Sequence, residues 1–532
     1  MRRRYRVFKE TCKSIHAAVR LKNLSELYKL IEGRVDLNAY DDHGFSSLHY
    51  AVIENRPEII EILIGNGADP NVRQLGTNDT PVYWAVALGR LDCVRTLALS
   101  GASLTLFNSS DVDKATIHLA AKLGKPEIVK YLLDMGVSPN FCSLEGWPPI
   151  IYGLEHPEVL EVLVRRGADV NYVLKSENGF TALLHAICSG YVFSVQKLLQ
   201  MGAHWFIFCS KYKFMAVHWA AKYDRTCVMD FLVSAGADLS AMSRGPAKDQ
   251  PIHIAAESNH ANTLGYLMNK GISIETTNSF GYSPLHLAVS NFSLEAMRFL
   301  IRAGANIDCQ TAMLQGHTPL HLAATKPEEN VVSVVSFLIT EGANWKLEDH
   351  SGSTPVQLAI ERDNIYFLDE ISKHVALNVH LRESDSVRLA TRNNSCKALK
   401  WLLARGVSME KFDDNGILPI HLASEEGFSE IVVTFLDHMM NVNARTSTGE
   451  TPLHYAVYSK QDTVAELLLA KGADINAMDI YDYRPDHIAA MVGNINYFKL
   501  VQNEIDITSG FAGHEEKELS LHSAARCGQW KS

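Results

Sequence analysis

The sequence predicts an all-α fold: a solenoid in which every repeat supplies two antiparallel helices and a β-hairpin finger. Three observations predict it. A motif of the form Thr-Pro-Leu-His-x-Ala-Ala recurs about every 33 residues. An apolar run ending in Gly-Ala-Asp-x-Asn follows about 18 residues after the motif. The copies continue from one end of the chain to the other.

The clearest copies of the first motif are Thr318-Pro319-Leu320-His321-Leu322-Ala323-Ala324 and Thr451-Pro452-Leu453-His454-Tyr455-Ala456. Close variants begin at Ser283, Leu418 and Gln250. With the histidine as a mark, registers fall at His16, His49, Tyr83, His118, Ile151, Leu184, His218, His253, His286, His321, Gln357, Arg388, His421, His454, His487 and His522. Alanine stands two residues after each mark except at Gly153. The second motif is clearest at Gly67-Ala68-Asp69-Pro70-Asn71, Gly167-Ala168-Asp169-Val170-Asn171 and Gly472-Ala473-Asp474-Ile475-Asn476.

Each element follows from its residues. Thr at the head of a copy caps a helix with its hydroxyl. Pro beside it takes the first helical position, where its missing N–H costs nothing. Leu and the following Ala share one face, and the small Ala lets this short helix pack close. A second helix follows, as in 463–469, with apolar residues at a 3.6-residue period. Gly472 ends it as a left-handed cap. Ala473 to Asn476 begin an extended finger that leads to the next copy. One repeat cannot bury its apolar face alone, so neighbours stack into a continuous core. Of the 22 histidines, 11 occupy the mark. They come one per repeat instead of converging on a point, which predicts a hydrogen bond bracing adjacent turns and no metal site.

The paired motifs at this period resemble the ankyrin repeat, and the resemblance covers nearly every residue. It implies partners on a concave side, touching finger tips and first helices. Sixteen such repeats offer more area than the ~1,600 Å² of a standard interface.

Composition narrows the function. With 47% apolar residues the chain can fill a core, against disorder. Its net charge of −10 repels phosphate backbones, so nucleic acid is a poor candidate partner. The nine cysteines are scattered and never form Cys-x-x-Cys, which argues for reduced thiols and a cytoplasmic location, with the nucleus as alternative. No apolar run of membrane-spanning length occurs. Arg2 to Arg4 read as a solvated tail or a nuclear address. Phosphate-binding glycine loops, kinase motifs, His-Glu-x-x-His, Gly-x-Ser-x-Gly and Asp-His-His-Cys are all absent. The chain is therefore read as a non-enzyme with no cofactor.

Departures from the repeat are the places to look for specificity. The finger from His204 to Phe214 is normally polar, yet here it carries Trp205, Phe206, Phe208, Tyr212 and Phe214. Aromatics beside lysine are common at binding hot spots. The competing reading folds Phe206 and Phe208 inward as hairpin core. The next finger, 241–250, is lengthened and carries Arg244. Lys326 to Asn330 extends an interhelical turn, and 372–394 lacks both the cap glycine and the Thr-Pro pair.

The expected organisation is an N-terminal capping repeat at 1–40, repeats over 41–371, a degenerate and kink-prone repeat at 372–411, repeats over 412–508, and an incomplete repeat at 509–532. The second helix of that last repeat is absent, which favours a piece of a longer protein over a frayed cap. The functional expectation is a scaffold or adaptor that binds other proteins. The alternatives are a substrate receptor of a ubiquitin ligase, the array of a latrotoxin-like toxin, and a host-directed effector. Self-association is left open.

Overall fold

A computed structural model describes residues 14–106, 115–174, 179–312, 315–377, 381, 385–409 and 415–501. The Arg2–Arg4 tail, parts of the degenerate repeat and the terminal register at His522 lie outside the described residues. The chain divides into two compact units, Met1–Ser273 and Ile274–Ser532. Among the described residues, eight helix pairs lie in the first unit, from Ile15–Arg20 with Leu24–Glu32 to Pro251–Glu257 with Ala261–Asn269. Seven lie in the second, from Pro284–Ser290 with Leu294–Arg302 to Pro485–Val492 with Ile495–Val501. Among the described residues no helix is long and apolar enough to cross a membrane.

The first helices are short and start as their residues dictate. Thr80, Thr181, Thr318 and Thr354 each accept a backbone N–H three residues on through the side chain. Second helices bury three residues on one stripe, such as Ile59, Ile60 and Leu63, or Val159, Leu160 and Leu163. Where Gly153 replaces the usual alanine, a Cβ would meet Val159 Cγ1 at 2.9 Å. The following helix approaches too closely there for a methyl group.

The fingers are hairpins in connectivity but too short to form strands. Isolated bridges occur at Tyr40 with Ser46 and at Leu174 with Phe180. Otherwise the described fingers close on one bond between limbs and one within the turn, as from Ser143 N–H to Trp147 O and from Gly146 N–H to Ser143 O, each 2.9 Å. Neighbouring fingers are tied by bonds such as Leu75 N–H to Gly44 O in the first unit and Ser447 N–H to Asn415 O in the second, each 3.0 Å.

The histidines brace the stack as expected. Ser46 N–H donates to Nδ1 of His49 at 3.2 Å, and His49 Nε2 lies 3.0 Å from Asp79 O of the next finger. His286 and His454 repeat the pattern, reaching His317 O and Tyr483 O at 3.1 Å. With Nδ1 accepting, the proton sits on Nε2 and the ring is neutral. Burial holds His49, His218 and His286 neutral by lowering their pKa to about 4. In the degenerate repeat, the helix Ile365–His374 runs into an extended Val375 instead of a glycine cap. Arg388 takes the mark there and keeps the brace, donating from Nη2 to Ile417 O at 2.7 Å.

Candidate partner-binding surface

The sixth and seventh fingers of the first unit carry the candidate surface. Cys209, at the centre of the aromatic finger, is fully buried, and its N–H donates to Phe214 O at 3.0 Å. The finger therefore turns about a small thiol. Its larger side chains are displaced outward: Phe206 stays 51% exposed and Tyr212 40%. The reading that folds Phe206 and Phe208 inward thus fails for Phe206, while Phe208 is half-buried, as are Trp205 and Phe214.

Two limbs of the finger behave differently. On the first, the Phe206 ring stacks on His204 at 4.9 Å and meets Trp205 edge-on at 5.6 Å. Trp205 is anchored, since its indole N–H donates to Ala235 O at 3.0 Å. On the second limb, Tyr212 and Phe214 both lean on Trp219, with ring centres at 5.4 and 5.8 Å. Trp219 is 3% exposed and lies on the short helix Ala216–Lys222.

Trp219 is the hub of a longer aromatic seam. Phe180 lies 4.9 Å from Trp219 and 5.1 Å from His185, which in turn lies 5.7 Å from Trp147. Such edge-to-face pairs favour a defined geometry beyond the area they bury. The indole N–H of Trp219 is buried without an acceptor among the described residues. An unmet donor of this kind is rare in native proteins.

Cations line the same place. Lys222 Nζ lies 4.8 Å from the centre of the Tyr212 ring, with Lys211 Nζ at 5.2 Å. From the next finger, the Arg244 guanidinium covers the Phe208 ring at 4.0 Å. The two fingers are joined by Arg244 N–H donating to Lys213 O at 3.0 Å. Beside this patch, burial and then Asp249 raise the carboxyl of Glu257 above its ordinary range, while Lys222 opposes the shift. Burial likewise pushes the Cys188 thiol up to about 12, so it is protonated and unreactive at neutral pH.

The structure therefore brings Phe208, Tyr212, Phe214 and Arg244 into one cluster and leaves Trp205 and Phe206 on the adjoining limb. Sequence reasoning missed Trp219, Lys222 and Phe180. Trp219 directly follows a histidine mark, where Tyr50, Trp84 and Tyr152 hold rings in other repeats of this unit. That recurrence was the available signal.

A family model described as ankyrin repeats (3 copies) matches residues 15–108, 117–209, 155–243, 217–311, 285–380 and 387–479. Human transient receptor potential cation channel subfamily A member 1 is 24% identical over 482 residues, covering 79% of this chain and 42% of that protein. Mouse Rabankyrin-5 is 29% identical over 213 residues, 36% of this chain and 18% of its own. The E3 ubiquitin-protein ligase KEG of Arabidopsis thaliana is 22% identical over 337 residues, 60% of this chain and 20% of the ligase. The chain thus spans less than half the length of these relatives. Among solved structures, the ankyrin repeat domain of Bcl-3 matches 41% of this chain at 25% identity and a TM-score of 0.37, covering 97% of that domain.

Proposed function

The chain belongs to the ankyrin-repeat family, a fold used for protein–protein interaction and typically non-catalytic, and on that premise we propose that it is a scaffold or adaptor whose specificity resides in the fingers at 204–214 and 241–250. The observation that carries this reading is the outward display of Phe206 and Tyr212, beside stacked cations, on a finger whose own centre is filled by Cys209. Exposed aromatics seated on a rigid support lose little conformational entropy on binding.

The test is affinity capture with the tagged chain and with a Phe206→Ser, Tyr212→Ser double variant. A defined subset of partners should disappear while the circular dichroism spectrum stays unchanged. Identical partner sets would refute the assignment, and so would unfolding, because it would place those rings in the core.

A second reading, substrate recognition within a ubiquitin ligase, is supported by the likeness to the ligase KEG over 60% of this chain. Its test is recovery of ligase components, retained in the double variant because they would bind elsewhere.

A further inference from the structure

Among the described residues, fingers turn through one residue in the left-handed region, five positions before the mark. Glycine holds that place at Gly44, Gly146 and Gly179 in the first unit, and at Gly281, Gly316, Gly352, Gly416 and Gly449 in the second, with φ from +69° to +87°. Two consecutive fingers depart from this. Lys213 stands there at φ +58° and Lys248 at φ +50°. Asn78 and Asp482 also hold the place, but short polar side chains compensate locally and lysine does not. Left-handed residues other than glycine occur in other turns, as at Lys22, Phe292 and Lys460, but among the described residues lysine takes this finger position only in these two neighbouring copies.

Both lysines are exposed, as are Lys211 and Arg244. These four cations sit on two fingers joined by the Arg244 to Lys213 backbone bond. None forms an ion pair among the described residues. The sequence has no acidic residue over 204–223 or 239–248, in a chain whose net charge is −10. The unmet indole N–H of Trp219 lies beneath the same patch.

Resting on the partner-surface reading above, we propose that these two fingers bind an acidic segment of a partner protein, one with aromatic or aliphatic residues between its carboxylates. The carboxylates would accept from Lys211, Lys213, Arg244 and Lys248, and the anchors would pack on Phe206 and Tyr212. At the finger tips a short segment meets these four cations, with Asp249 and Glu257 at the edge of the patch, and charges beyond about 10 Å are screened from it. A long phosphate polymer would extend over the rest of an acidic protein and be repelled.

The test uses a short fluorescent peptide of glutamates interrupted by two phenylalanines, and its glutamine counterpart, titrated against the full chain by anisotropy. The key variant is Lys213→Gly with Lys248→Gly, which installs the residue most other fingers carry and so preserves folding. Lys211→Gln with Arg244→Gln is the second variant. The glutamate peptide should bind, weakening with salt, and each double variant should lose about tenfold in affinity. No binding, equal binding of the glutamine peptide, or unchanged affinity in both variants would overturn the proposal. It would also be overturned if the same lysines instead controlled binding of single-stranded oligonucleotides, adsorption to anionic vesicles, or concentration-dependent self-association. Loss of captured partners in the Phe206→Ser, Tyr212→Ser variant but not in the lysine variants would sink this inference alone. Retention of every partner in all of them would sink the parent reading as well.

Discussion

Acidification should unfold this protein through its own bracing histidines, and His218 allows the effect to be isolated. Its ring is fully buried. Its pKa falls from 6.5 to about 4, with burial as the main cause and the carbonyls of Asp249 and Ala241 opposing it. The unfolded chain therefore binds a proton more readily than the native one. The resulting stability is fully present above pH 6.5 and is lost as pH falls toward 4. At about 1.4 kcal/mol per pH unit, the whole contribution is about 3 kcal/mol, of which about 2 kcal/mol is gone by pH 5.

The perturbation is His218→Gln. Glutamine already occupies this position at Gln357, where its Oε1 accepts the Thr354 N–H at 2.8 Å, so the cap bond survives. The variant loses the brace to Asp249 O, 3.1 Å from Nε2, at a cost of about 1 kcal/mol at pH 7. Because it no longer titrates, it should equal or exceed the parent at pH 5. The assay is urea unfolding followed by circular dichroism at both pH values. If parent and variant lose the same stability between pH 7 and pH 5, the imidazole is not buried neutral and the bracing account is wrong.

Two further outcomes test the backbone assignments. Gly472→Val should cost about 1–2 kcal/mol from the left-handed backbone alone, since φ is +90° and an added Cβ meets nothing within 4 Å. An unchanged melting curve would move the helix end elsewhere. Lys213→Gly with Lys248→Gly should raise stability by about 1 kcal/mol, strain relief outweighing the extra entropy of glycine in the unfolded chain. A lower urea midpoint would show that the lysines are structural.

Much of the fold could be read from the sequence because its determinants are local. Thr-Pro helix starts, the alternation of short and long helices, and the histidine brace each depend on a few adjacent residues and the repeat period. The β-hairpin expectation held for connectivity only, because a finger of this length closes on one bond between its limbs and one within its turn, and leaves no ladder to extend. At the candidate site, composition pointed to Tyr212 and Arg244, but which ring turns outward depended on Cys209 filling the finger's centre. That is a packing result with no sequence motif. Trp219 and Lys222 escaped notice because they occupy routine helix positions. Lys213 and Lys248 were legible by alignment on the histidine mark, where glycine is the rule.

The brace also gives a histidine-marked junction a direction. A histidine takes its own cap N–H on one nitrogen and spends the other on the carbonyl of the repeat that follows, as His321 does on Ser353 at 2.9 Å. Each junction thus has a giving side and a receiving side. Opening such a junction leaves an imidazole N–H on one side and a carbonyl lone pair on the other to find new partners. Held inside the stack without a partner, either group would cost about 1–3 kcal/mol. Such a junction must therefore open far enough to admit water to both groups at once, which disfavours a partly separated state against either the closed or the fully open one.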